Sequence, residues 1–241
     1  MGEKISIPPG DQELPLSEHL RELRNRIVIV LAVTIFLMVL AYPVSGNLME
    51  TVWTHIMPPY VKMTVYEPME LIKVRIIVSF IAAVTIGFPL LVYETFKFMA
   101  PGLYRNEKRF ILAVFPFSLA LFVAGALVAY FITLPLFFDM ILSSGSAIAS
   151  PELSMKETFT IVTNFMVGFG VVFQVPLVIL MSIKMDIVKR KTLANGRLAV
   201  YGILFAFAVL VSPDPTMLSQ LIVGIVLIIL FEMSMFLAKF I

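Results

Sequence analysis

Residues 24–44 read RNRIVIVLAVTIFLMVLAYPV. Two arginines lead into 18 residues, Ile27–Val44, that carry no charged side chain. A helix that lies on a soluble core shows one apolar stripe and one polar face, whereas this run is apolar all round. About 20 such residues cross the roughly 30 Å hydrocarbon core of a bilayer. The run is therefore read as a membrane-spanning helix, and five further runs match it: Ile72–Tyr93, Phe110–Leu134, Phe159–Ile183, Leu198–Val211 and Met217–Ala238. Backbone hydrogen bonds must be satisfied internally in lipid, and period-two alternation is absent, so the fold class is all-α rather than a β-barrel.

The whole composition agrees. Of 241 residues, 60% are hydrophobic and 14% charged, with a mean hydropathy of +0.99. Soluble domains carry about a quarter charged residues, too many for this chain to match, so lipid has to cover much of its surface. The net charge of +2 does not mark a nucleic-acid binder. No cysteine is present, which excludes disulfides, thiolate metal sites and cysteine catalysis. His19 and His55 lie in different segments, which argues against a histidine metal site. No cofactor is expected. Residues 1–26 are polar and lack a signal-peptide apolar region, so the first span is read as retained.

Lysine and arginine set the expected orientation. Lys4, Arg21, Arg24 and Arg26 precede span one; Lys97, Arg105, Lys108 and Arg109 lie between spans two and three; Lys184, Lys189, Arg190, Lys191 and Arg197 lie between four and five; Lys239 follows six. That puts 14 of the 18 basic residues on one side, expected to be cytoplasmic, together with both termini. Lys73 and Arg75 are exceptions at the outer end of span two, where Glu67 and Glu70 could neutralise them. The last hairpin is expected to be short: Leu198–Val211 has 14 residues, and Ser219, Gln220 and Glu232 interrupt the final span. Pro89, Pro116 and Pro176 are expected to kink their helices. Residues 1–241 are taken as one membrane domain, with 1–26 a cytoplasmic segment.

Three stretches could carry chemistry. In Leu16–Arg26, Leu16, Leu20, Leu23 and Ile27 share one helical face, with Ser17 a candidate N-cap. Either this is an amphipathic interfacial helix whose acids face the cytoplasm, or it is a solvated helix with Glu18–Arg21 and Glu22–Arg26 pairs. In Phe96–Arg109, Pro101-Gly102 forces a turn, and Phe98, Leu103 and Tyr104 stand beside acid Glu107. Either the aromatics anchor the membrane interface, or apolar surface and carboxylate together receive a cationic, apolar peptide. Gln174, in Gly168–Pro176, lies near mid-membrane and needs a hydrogen-bond partner, from this chain or from another subunit. No zinc-protease, serine-hydrolase or nucleotide-binding motif occurs, so no enzyme is expected.

Read together, these stretches resemble TatC, the polytopic subunit of the twin-arginine protein translocase. The matching residues are Glu18–Arg24, Phe98–Arg109, Gly125–Tyr130, Gly170–Pro176, Ser212-Pro213-Asp214 and Ser219-Gln220, in order and in fitting topological positions. The resemblance implies a receptor and scaffold that binds twin-arginine signal peptides at the cytoplasmic face. It implies single-span TatA- and TatB-type partners, self-association in a larger complex, and export of folded proteins across the cytoplasmic membrane by the proton-motive force. It maps peptide binding onto Glu22, Phe98, Leu103, Tyr104 and Glu107, with Glu18, Arg24, Pro101 and Asp214 as supporting candidates. It maps a partner-helix contact onto Gln174, where many relatives carry glutamate. The alternative function weighed is a small-solute secondary transporter, against which the halves show no self-similarity and most acids lie at the surface.

Overall fold

The computed structural model describes residues 16–99, 105–145, 152–185, 187–211 and 217–239. Its helices are α1 (Leu16–Ala41), α2 (Ser45–Ile56), α3 (Glu70–Met99), α4 (Arg105–Val128), α5 (Leu134–Gly145), α6 (Met155–Val172), α7 (Val175–Lys184), α8 (Arg190–Asn195), α9 (Arg197–Val211) and α10 (Met217–Leu237). Among the described residues, five stretches are long and apolar enough to cross a membrane, and α9 supplies a shorter sixth. The helical, multi-span reading holds, with five full-length spans and a sixth that is short.

Breaks between helices follow the breakers in the sequence only in part. A 3-10 turn at Tyr42–Val44 contains Pro43 and separates α1 from α2. Span four divides into α6 and α7 at Phe173-Gln174, with Pro176 in the first turn of α7. In contrast, α3 runs unbroken through Pro89 and α4 through Pro116. Span three changes to a π-helical turn at Ala129–Thr133, just ahead of Pro135 in the first turn of α5.

Two expectations need correction. The Leu16–Arg26 segment is no separate surface helix: it forms one 26-residue helix with the first span. No glycine or proline occurs anywhere from Leu16 to Ala41 to end it. The last hairpin is short only in α9, whose 15 residues reach about 22 Å. Its partner α10 has 21 residues, about 31 Å, enough for an ordinary bilayer. Glu232 does not shorten it, because the carboxylate accepts from Tyr201 Oη at 2.6 Å and pairs with Arg197 at 3.2 Å, both across on α9.

The main core lies among α5, α6 and α10, where Phe137, Phe138, Phe165, Phe169, Leu227 and Phe231 are buried together. Helices α4 and α6 cross at two glycines. A Cβ on Gly125 would fall 2.5 Å from the Phe169 carbonyl oxygen, and one on Gly170 would fall 2.4 Å from the Phe122 ring. The sequence repeats Gly125 and Ala129 one turn apart, and both face the protein: Ala129 is fully buried. Such small residues let helix backbones approach closely in lipid.

Helix α1 lies at the periphery. None of its described side chains is buried, and it packs mainly on α3, where Leu37 sits over Gly87.

At the end opposite the basic cluster, the loops form a small cap. Strand β1 (Lys62–Thr64) pairs in parallel with β2 (Glu152–Ser154). Beneath them the carboxylate of Glu70, 2% exposed, gathers four donors: Ser154 Oγ and Lys156 N on Oε1, both at 2.8 Å, and Tyr66 N at 2.6 Å and Glu67 N at 3.2 Å on Oε2. Glu70 thus serves the loop backbone rather than Lys73 or Arg75. Lys73 pairs instead with Glu67 at 2.6 Å.

Candidate functional site: a charged groove between the first two spans

Helices α1 and α3 run antiparallel to each other toward the basic end. On α1, His19, Glu22 and Arg26 recur at spacings of three and four and so share a face. On α3, Glu94 and Phe98 stand one turn apart. These two faces meet. The ring of His19 stacks on Phe98 with centroids 4.3 Å apart. Arg26 reaches both acids: Nε donates to Glu22 Oε1 at 3.1 Å, Nη2 turns to the same oxygen, and Nη1 donates to Glu94 Oε2 at 2.8 Å. The expected Glu22–Arg26 pair therefore exists, but as one half of a bridge between two helices.

Two depressions adjoin this bridge. A groove of about 490 Å³ is lined by Glu18, Arg21, Glu22, Asn25, Arg26, Ile29, Glu94 and Lys97. An apolar hollow of about 280 Å³ is lined by Leu23, Ile27, Val30, Leu31, Leu91, Thr95 and Phe98. Arg26 and Glu94 border both. The polar, acid-bearing trough and the apolar hollow thus share the Arg26–Glu94 ion pair as a common border.

The structure brings Glu18, Glu22 and Phe98 together at this place. Arg24 is exposed and outside both linings. Glu107 falls in the first turn of α4, where only the course of the backbone is described. Pro101, Leu103, Tyr104 and Asp214 lie outside the described residues. Sequence reasoning missed Glu94 and Lys97 as members of the site. A carboxylate at the end of an apolar run was the available signal, since such a group in a membrane helix faces protein or water.

Gln174 lies elsewhere, at the α6–α7 break. Its Oε1 accepts from Ser118 Oγ at 2.8 Å, and its Nε2 donates to the carbonyls of Ser118 at 3.1 Å and Gly170 at 3.3 Å. This amide spans from α7's cap to α4 within the chain. Glutamate in the same rotamer would turn an acceptor toward two carbonyl oxygens.

The family model for Sec-independent protein translocase protein (TatC) matches residues 18–225. The chain belongs to the TatC family. A Sec-independent protein translocase protein TatC of Methanocella arvoryzae is 60% identical over all of both chains. One from Aquifex aeolicus is 32% identical over 94% of this chain and 95% of its own length. A crystal structure of the twin-arginine translocase receptor TatC in the detergent DDM superposes with a TM-score of 0.81 at 31% identity, covering 91% of this chain and 99% of that one. TatC membership makes the chain a multi-pass membrane component of a protein translocase, and it displaces the solute-carrier alternative.

Proposed function

We propose that this TatC-family chain is the receptor and scaffold subunit of a twin-arginine translocation system. It binds twin-arginine signal peptides at the basic end, which faces the cytoplasm together with both termini. With single-span TatA- and TatB-type partners, and further copies of itself, it exports folded proteins across the cytoplasmic membrane on the proton-motive force. Residues 1–241 act as one membrane domain.

The observation that carries this reading is the junction of the acid-bearing groove with the apolar hollow at Arg26–Glu94. A twin-arginine signal places cations directly before an apolar segment, and such a peptide laid along α1 and α3 meets surfaces in the same order. Guanidinium and carboxylate form a two-pronged, charge-assisted fork that lysine does not reproduce. Glu22 supplies one carboxylate, and Glu107, at the start of α4, supplies a second. Phe98, Leu103 and Tyr104 direct the apolar part of the peptide toward lipid. Concentrated basic residues at this end suit the cytoplasmic side, and the relative of known structure is itself a twin-arginine translocase receptor.

Gln174 is proposed to receive a partner helix through a neutral hydrogen bond once its Ser118 contact is exchanged. For the receptor role, the test is photocrosslinking of a twin-arginine peptide to membranes holding the full complex. Glu107→Ala should abolish the crosslink, and unchanged crosslinking and export in that variant would contradict the assignment.

A further inference from the structure

Arg26 is held as a bound guanidinium would be held. Nε and Nη2 turn to Glu22, and Nη1 turns to Glu94 on the neighbouring helix. The three side chains are enclosed to different degrees: 9% of Glu94, 14% of Arg26 and 28% of Glu22 is exposed. One cation thus satisfies two carboxylates from separate helices, at a place where the proposed ligand would bring the same chemical group.

Charge sharpens the point. The groove is lined by three acids (Glu18, Glu22, Glu94) and three bases (Arg21, Arg26, Lys97). With Arg26 in place the lining is formally neutral and offers a dication little attraction. If the Arg26 side chain turns away, the lining loses one positive charge and two carboxylates are freed in the same motion. Arg26 also borders the apolar hollow, so a change of rotamer moves its head to that rim while α1 stays in place.

We propose that Glu22 and Glu94 form a guanidinium site that Arg26 occupies in the resting protein, and that an arginine of the incoming peptide displaces it. The inference rests on the proposed binding of twin-arginine peptides and adds two residues to it. Glu94 becomes a ligand contact, and Arg26 becomes a built-in competitor that sets affinity. Exchanging one guanidinium for another conserves the hydrogen bonds of the acid pair, which keeps the bound peptide releasable.

The experiment is titration of a fluorescent twin-arginine peptide, and of its twin-lysine version, against full-length protein in lipid nanodiscs. If the resting site is filled nine-tenths of the time, removing the competitor strengthens binding roughly tenfold. Arg26→Gln should therefore tighten the arginine peptide by about that factor and tighten the lysine peptide less, through charge alone. Glu94→Gln should weaken the arginine peptide, and the double variant should bind no better than Glu94→Gln alone. Arg26→Met, which keeps the aliphatic stem, repeats the first test should the glutamine variant fold poorly, and a melting curve accompanies each protein. A mere tie between α1 and α3 predicts the opposite pattern: both single variants lower the melting temperature and weaken binding together. That result, or unchanged affinity in both Arg26 variants, overturns the proposal while wild-type preference for arginine over lysine leaves the receptor reading standing. Absence of that preference in the wild type overturns both.

Discussion

Replacing Gly125 by alanine adds one methyl group where the α4–α6 crossing has no room for it. The new Cβ would stand 2.5 Å from the Phe169 carbonyl oxygen, 2.9 Å from its carbon and 2.9 Å from Phe173 Cγ. Carbon and oxygen need well over 3 Å, and a helix carbonyl cannot rotate aside, so the helices must part by most of an ångström. Overpacking of this kind costs about 1–3 kcal/mol, and the rigid neighbour argues for the upper end. Alanine regains about 1 kcal/mol of helix propensity, which leaves a net loss of about 2 kcal/mol. For a chain of this size that lowers the melting temperature by roughly 4–8 °C. Gly202, on α9, is the control, because a Cβ there meets nothing within 4 Å. Gly202→Ala should stabilise by about 0.5–1 kcal/mol. One substitution type at two helix sites thus has opposite predicted signs. Thermal unfolding in detergent, followed by circular dichroism, measures both. A Gly125→Ala protein that melts at or above the wild-type temperature would refute the packing argument.

Two further outcomes follow from the hydrogen bonds. Glu70→Gln replaces one acceptor oxygen with an amide that can only donate, so in either orientation two of the four donors lose their partner. The cap over β1 and β2 should open, read as faster proteolysis within residues 62–70 and 152–156; wild-type protection would contradict the four-donor arrangement. Gln174→Leu removes three hydrogen bonds, each worth about 0.6 kcal/mol in a membrane protein. It should destabilise by about 2 kcal/mol in the same melting assay, and wild-type stability would show that the Ser118 contacts contribute nothing.

What sequence reasoning could reach depended on range. Apolar run length gave all six spans, since span length is a local property set by bilayer thickness. The Glu22–Arg26 pair was equally legible because it lies within one helical turn. Glu94 was not, because its cation is 68 positions away and no periodicity links the two. Likewise β1 and β2 have three residues each and pair across distant loops, so neither shows a strand pattern of its own. Glu70 looked like a counter-charge for Lys73 because both lie near the start of α3. Its buried position instead demanded every acceptor it has, and the exposed Glu67 was left to pair with the lysine. The change from amphipathic to wholly apolar at Ile27 looks like a helix boundary in sequence, yet the backbone meets no breaker there and α1 runs through it.

The central claim is that carboxylates at the basic end of this chain recognise guanidinium. Equilibrium binding of a twin-arginine peptide and its twin-lysine counterpart to the purified wild-type protein tests it most directly. The two peptides carry equal charge, so only the geometry of the cation differs. Clear preference for the arginine peptide, lost in Glu22→Ala, is the predicted result. Equal affinity for both peptides would contradict the account.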